Sequence, residues 1–343
     1  MSLTKVASFL VSLLVIFYIL VLGKSLLLPL VIAAVLWYVI IAISSYLGKI
    51  KIADKKIPNF LSLTLAFFFI GLVLWVFGSI LEFNIGKMIV RAPEYQEKVQ
   101  ALLASILTWV GVSELPSVSN IINAVSFSRL LSIMTDLLRN LTGYAGMTLI
   151  YLVLIFLEYK IFNKKIELFL NNNEKYNKFC EVVKKIDTDI KTYISIKTGM
   201  SLLTAVLSYI VLIVLGLDFP LFWAMLIFIL NYIPTIGSII AVIFPLILSL
   251  VQFASVGTFL LLLGLLVSVQ VLVGNILEPK LMGKSLNLSP LVIILSLGLW
   301  GSVWGVVGMF LSIPIMVIIN IILAKIPRTQ GLAIMFSANG KIK

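Results

Sequence analysis

Apolar residues gather along this chain into long runs that short polar loops separate. Five runs of about 17 to 24 residues, the length that crosses ~30 Å of hydrocarbon as a helix, lie at 6–22, 26–46, 58–81, 141–157 and 198–217. Each run is predicted to form one transmembrane helix. The first is expected to remain as a membrane anchor, because no small-x-small cleavage site follows it.

Two further stretches, 219–253 and 286–324, are too long for one untilted crossing, and a span at 255–277 lies between them. The short alternating strands of an outer-membrane barrel do not occur in this pattern. The pattern therefore predicts an all-α integral membrane protein with about eight apolar segments, two of them broken.

The two broken stretches repeat the same arrangement of helix breakers. Pro220 opens the first stretch and Pro245 closes it, whereas Pro290 opens the second and Pro314 closes it. The break in the middle is at Pro234 to Gly237 in the first stretch and at Gly301, Gly305 and Gly308 in the second. Proline removes a backbone donor and glycine loosens a helix, so both stretches are expected to unwind near the middle. Unwound backbone at membrane depth must be buried in protein or line a wet cavity. Paired interrupted segments therefore indicate a transporter's binding site, although glycines at this spacing also serve close helix packing.

The broken stretches are either re-entrant hairpins or long kinked spans. The loop 278–286 is cytoplasmic in the first case and external in the second, and Glu278, Lys280 and Lys284 give it a net charge of +1. Because cytoplasmic loops carry an excess of lysine and arginine, this charge favours hairpins. The two hairpins would then enter from opposite sides, as an inverted pair around the span 255–277.

Charge in the remaining loops predicts the orientation. The loop 47–59 is basic, and the segment 159–197 carries nine lysines against five acids, so both are expected in the cytoplasm. The predicted organisation is three transmembrane helices (1–82), a small external helical lobe (83–140), a transmembrane helix (141–158), a cytoplasmic amphipathic helical segment (159–197), a transport core (198–325) and a cytoplasmic tail (326–343). Both termini are therefore expected in the cytoplasm of a bacterial inner-membrane protein.

Composition narrows the possible functions. The chain is 61% hydrophobic and 12% charged, with a net charge of +12. The basic residues lie in loops without interleaved aromatic residues, so they indicate topology rather than nucleic-acid binding. Histidine is absent and Cys180 is the only cysteine, which argues against an ordinary metalloenzyme or a Ser-His-Asp hydrolase. We expect neither enzymatic activity nor a cofactor or metal.

Few polar side chains interrupt the apolar runs. The candidates for a solute or ion path are the amides Asn231, Gln270 and Asn275 and the carboxylates Asp218 and Glu278. On a regular helix Gln270 and Asn275 lie roughly 140° apart and cannot face one path, so Asn231 and Asn275 are preferred. Three alternatives stay open. A buried amide can bond to a neighbouring helix, Asp218 can cap the next helix, and Glu278 can be an interfacial anchor paired with Lys280 or Lys284.

Several short motifs carry a resemblance to a known family. They are N-Y-I-P-T-I-G at 231–237, N-I-L-E-P-K-L-M-G at 275–283, L-S-P at 288–290 and L-G-L-W-G-S-V-W-G-V-V-G-M at 297–309. Together with the layout of the whole chain, they resemble the autoinducer-2 exporter family of bacterial membrane permeases. The family pattern places its signature residues at Asn231, Pro234, Gly237, Asn275, Pro279, Gly283, Pro290, Gly305, Gly308 and Pro314.

The resemblance implies a secondary transporter that exports a small polar solute by alternating access. Some relatives are described as sodium/proton antiporters, so exchange of monovalent cations is the first alternative. The second alternative is a membrane scaffold that transports nothing. The expected partners are the lipid bilayer, a small polar solute or a monovalent cation, and further copies of the same chain; no nucleic acid is expected.

Overall fold

A computed structural model of the chain describes residues 3–49, 51–52, 55–109, 132, 135, 143–170, 173–282 and 287–340. Nearly all of these residues are helical. The helices are α1 (Leu3–Leu22), α2 (Lys24–Leu47), α3 (Asn59–Trp109), α4 (Ala145–Leu170), α5 (Asn173–Val214), α6 (Pro220–Leu230), α7 (Ile236–Phe253), α8 (Val256–Gln270), a π-helix (Val271–Leu277), α9 (Glu278–Met282), α10 (Pro290–Lys325) and α11 (Gln330–Phe336). Two short antiparallel strands, β1 (Lys51–Ile52) and β2 (Lys55–Lys56), lie between α2 and α3.

The prediction of an all-α integral membrane protein is confirmed. Within the described part of the chain, six helices are long and apolar enough to cross a bilayer, and two shorter apolar helices, Ala145–Tyr159 and Pro220–Leu230, accompany them. Helix α3 runs without interruption from the third predicted span into the segment 83–140. Most of the rest of that segment lies outside the described residues, so the external lobe stays a prediction.

The chain forms two compact units. Unit 1 comprises Met1–Phe67, Gly143–Ile196 and Met282–Lys343, and unit 2 comprises Phe68–Thr142 and Lys197–Leu281. The long helices α3 and α5 therefore contribute residues to both units. In unit 1, Trp37 of α2 packs edge-on against Phe156 and Tyr159 of α4, with ring centroids 6.1 and 5.2 Å apart.

In unit 1, α10 is a hairpin rather than a straight helix. The hydroxyl of Ser296 donates to the carbonyl oxygen of Ser312 at 3.2 Å, whereas residues 16 apart in a straight helix are separated by about 24 Å. Gly305, between them, has φ 65° and ψ −144°, a conformation that glycine adopts readily and other residues do not. The second broken stretch therefore doubles back at Gly305.

In unit 2, α6 and α7 form the corresponding hairpin. The rings of Trp223 on α6 and Phe244 on α7 are stacked with their centroids 6.4 Å apart, and the connection between the helices includes Thr235 at φ 60°. The first broken stretch therefore also doubles back. The side of the membrane from which each hairpin enters stays a prediction.

A glycine closes each hairpin. A Cβ atom added to Gly237 would lie 1.8 Å from the carbonyl oxygen of Leu230, and one added to Gly308 would lie 1.9 Å from the carbonyl oxygen of Trp300. Both contacts lie far inside van der Waals distance. Each second arm therefore touches the backbone at the end of the first arm, an approach that only a residue without a side chain permits.

The other predicted breakers have different roles. Pro245 and Pro314 lie inside α7 and α10, which continue past them, so these prolines remove backbone hydrogen bonds without ending a helix. Pro290 is at the first turn of α10, where its missing N–H costs nothing. Pro279 lies in α9, and Gly283 lies outside the described residues.

Candidate functional site

Helix α5 carries a line of buried polar residues within unit 2. They recur every three or four positions, so they share one face of the helix: Lys197, Ser201, Thr204 and Ser208, at 4%, 0%, 0% and 1% exposure. The outward side of the same helix is apolar, with Leu202 and Val206 exposed. We call the four buried residues the polar face of α5. A polar face turned inward in an otherwise apolar helix is typical of membrane proteins that handle polar solutes.

A buried ion pair lies at the start of the polar face. The Nζ atom of Lys197 is 2.7 and 3.0 Å from the two carboxylate oxygens of Glu278, and the two side chains are only 6% and 14% exposed. Withdrawing both charges from water costs about as much free energy as their attraction returns, so such a pair is weak evidence for a stabilising role. Inside a membrane segment it is instead a candidate functional group.

The π-helix positions Glu278. It occupies Val271–Leu277, directly before Glu278, and π-helical turns are rare and frequent at functional sites. Gln270 precedes it, and its amide Nε2 and Oε1 atoms are buried with no hydrogen-bond partner among the residues that the structure describes, whereas Asn275 is exposed. Of these two amides, Gln270 is therefore the one turned into the protein.

The turn of the first hairpin contacts the polar face of α5. Asn231 is 3% exposed, and its Nδ2 donates to Ser201 Oγ at 3.2 Å. The next residue, Tyr232, donates from its hydroxyl to Thr198 Oγ1 at 2.7 Å. Since Ser201 lies one helical turn from Lys197, α5 brings Asn231 and the Lys197–Glu278 pair onto the same side. The sequence leaves open whether a buried amide bonds to a neighbouring helix. In the structure, the Asn231 amide does so, to α5.

Asp218 belongs to a separate cluster. Its Oδ2 accepts from Arg91 Nη1 at 3.0 Å and from the Tyr95 hydroxyl at 2.5 Å, and the whole of α6 separates it from Asn231. The interpretation of Asp218 as a helix cap is wrong: the N-cap of α6 is Phe219, and no side chain caps that helix. Through the Arg91 and Tyr95 donors, the Asp218 carboxylate joins α3 to the start of the first hairpin instead.

The sequence did not identify the polar face of α5. The charge pattern groups Lys197 with the cytoplasmic lysines, and the apolar run 198–217 predicts an ordinary span. The spacing of lysine, serine, threonine and serine through 197–208 was nevertheless visible. Likewise, the predicted partners of Glu278 were Lys280 and Lys284; its partner is Lys197, 81 positions away, and Lys284 lies outside the described residues.

The arrangement offers hydrogen bonding and one pair of opposite charges. The hydroxyls and the Asn231 amide can each donate and accept, and Glu278 supplies a carboxylate. Among the described residues, no group of three or more His, Cys, Asp or Glu side chains could hold a metal ion. These groups can bind a polar molecule through hydrogen bonds, and the carboxylate can bind a cation.

Comparisons with known proteins place the chain among transporters. A family model described as AI-2E family transporter matches residues 8–328. A Borreliella burgdorferi protein named for transport is 32% identical over 299 residues, which cover 86% of this chain and 80% of that protein. The AI-2 transport protein TqsA of Escherichia coli is 28% identical over 286 residues, 82% of each chain.

Proposed function

Since this chain belongs to the AI-2E transporter family, we propose that it is a secondary transporter that moves a small polar solute out of the cell by alternating access. The observation that carries the proposal is the polar face of α5, where Asn231 and the Lys197–Glu278 pair meet. Autoinducer-2, the cargo in the name of the E. coli relative, is the first solute to test.

The polar face suits a neutral solute with several hydroxyl groups. Ser201, Thr204 and Ser208 lie one above another on α5, and the Asn231 amide adds two donors and an acceptor. A hydroxylated solute that replaced the Asn231–Ser201 bond would satisfy both groups again. Such a solute loses little by leaving water, because its hydrogen bonds are replaced rather than lost.

The first hairpin supplies the moving part in this proposal. Its turn combines the strained backbone of Thr235, at φ 60°, with the solute-facing Asn231. Residues held in sparsely populated conformations cluster at switch regions, and interrupted helices line the binding sites of many secondary transporters. We propose that the turn of the first hairpin moves along α5 and that this movement opens the polar face alternately.

The remaining features of the proposal concern the membrane. The protein is a multi-pass membrane protein. We place both termini and the segment 159–197 in the cytoplasm, the segment 83–140 outside, and the transport core at 198–325. The two hairpins enter from opposite sides, and the protein works as a homo-oligomer in the bacterial inner membrane.

Sodium/proton exchange is the second candidate function, and the Lys197–Glu278 pair favours it. A buried carboxylate that an amine neutralises can exchange that amine for a cation without leaving an uncompensated charge. In such a cycle the Lys197 ammonium releases its proton and Glu278 binds sodium in its place, so that one positive charge replaces another.

Purified protein in liposomes separates these functions. We expect labelled autoinducer-2 to cross the membrane at a rate that depends on the protein, and an imposed sodium gradient to leave the internal pH unchanged. If the sodium gradient changed the internal pH while autoinducer-2 did not cross the membrane, the result would favour ion exchange instead. If neither solute moved, the scaffold alternative would replace the proposal.

A further inference from the structure

Unit 1 contains an apolar groove that none of the residues of the proposed path lines. It encloses about 470 Å³ between α2 and α4 and is lined by Leu30, Trp37, Tyr151, Leu154, Glu158 and Phe162, among others. Most of these side chains are apolar, and Trp37 is nearly buried at 7% exposure. We call this space the α2–α4 groove.

The shape of the groove fits a hydrocarbon chain. Its lining residues on α4 run from Tyr151 to Phe162, which corresponds to about 16 Å along a helix. The sides are open, since Leu30, Leu154 and Phe162 are 40%, 51% and 48% exposed. An apolar space of this length with exposed side chains along it offers an acyl chain several apolar contacts, but it offers a polar solute few hydrogen bonds.

A charged side chain in the lining of the groove indicates the headgroup. Glu158 is the one charged residue among those lining the groove in the described part of the chain, and Lys165, two turns further along α4, donates to its carboxylate. Both side chains are more than half exposed, at 52% and 59%, so their mutual attraction is weak and either can take another partner. A carboxylate next to an ammonium complements a zwitterion that carries an amine and a phosphate.

We propose that the α2–α4 groove binds one phospholipid with a primary-amine headgroup, such as phosphatidylethanolamine. The acyl chain lies along Leu30, Tyr151 and Leu154, the lipid ammonium donates to Glu158, and the lipid phosphate accepts from Lys165. Three N–H donors distinguish this ammonium from the trimethylammonium of phosphatidylcholine, which cannot donate. Phosphatidylglycerol lacks the cation that Glu158 would bind.

Native mass spectrometry of the purified full-length protein tests the proposal. After delipidation, the protein is titrated separately with phosphatidylethanolamine, phosphatidylcholine and phosphatidylglycerol of identical acyl chains. We expect one phosphatidylethanolamine to be retained at least several-fold more strongly than either of the other two lipids. Equal retention of the three lipids would show that the groove holds annular lipid without selection, and would overturn the proposal.

Two substitutions separate the headgroup contact from the groove. Glu158→Gln should abolish the preference for the ethanolamine lipid while leaving the retention of phosphatidylcholine unchanged. Leu154→Trp should fill the groove and lower the retention of every lipid, whereas Val153→Trp, at an exposed neighbouring position that does not line the groove, should lower none. Similar effects of the two tryptophans, or a preference that survives Glu158→Gln, would contradict the proposal. Loss of oligomers with Leu154→Trp alone would assign the groove to a second copy instead.

Discussion

Replacing Gly237 or Gly308 with alanine is expected to prevent the corresponding hairpin from closing. The added methyl group would lie 1.8 Å from the Leu230 carbonyl oxygen or 1.9 Å from that of Trp300. Because the obstructing atom is backbone, no side chain can move aside to relieve the clash, and the two arms must separate. We expect each variant to lose at least about 3 kcal/mol of stability, the upper end of the usual cost of overpacking. Thermal unfolding in detergent, together with the yield of monodisperse protein, measures this loss.

Matched controls exist for both glycines. Gly264 lies on α8 of the same unit as Gly237, and Gly298 lies on α10 ten positions before Gly308; a Cβ at either would have no neighbour within 4 Å. Alanine at these positions should be neutral or stabilise its helix by up to ~1 kcal/mol. If Gly237→Ala or Gly308→Ala had the same midpoint of thermal unfolding as its control, that result would contradict the close packing of the hairpin arms.

Removing one partner of the Lys197–Glu278 pair is expected to destabilise the protein by about 3–5 kcal/mol, since the other charge stays buried without compensation. Lys197→Met and Glu278→Met should each lower the midpoint of thermal unfolding, and the double variant should recover most of the loss. In contrast, Lys325→Met removes a partner from the exposed Lys325–Glu181 pair, and it should change the midpoint little.

Transport by the same variants distinguishes a structural pair from a working one. If Lys197 and Glu278 bind the solute or its coupling ion, the double variant is stable but inactive in the liposome assay. Recovery of both stability and flux in the double variant would limit the pair to a packing role. The two single variants and the double variant form a double-mutant cycle, whose interaction energy also tests the contact itself. Side chains that do not touch would give additive effects on stability.

The hairpins were predictable because their determinants are local. Proline and glycine act on the backbone of the residues next to them, so the paired breaks at 234–237 and 301–308 indicated interrupted helices before any contact was known. Even so, the sequence could not tell that α7 and α10 continue through Pro245 and Pro314. Whether a helix survives a proline depends on packing by distant residues, which local pattern does not report.

The candidate site was harder to predict because it is made by distant contacts. Asn231 stood out as an amide in an apolar run, but its bond to Ser201 depends on how the first hairpin meets α5. Glu278 stands out as a rare acid, yet its partner Lys197 lies in a segment that the sequence predicts to be a cytoplasmic amphipathic helix. Asn275 was preferred over Gln270 on the geometry of a regular helix. The π-helix changes that geometry, and Gln270 is the buried one.

Modification of single cysteines tests whether solute passes along the polar face of α5. In a Cys180→Ser background, cysteine is introduced at Ser201 or Ser208 on the polar face and at Leu202 or Val206 on the outward face. Each protein in liposomes is treated with a small cationic methanethiosulfonate before autoinducer-2 flux is measured. If solute passes along this face, modification of the cysteine at position 201 or 208 stops the flux. The same treatment of the cysteine at position 202 or 206 leaves the flux intact. Undiminished flux after complete modification of Ser201→Cys would contradict passage along this face.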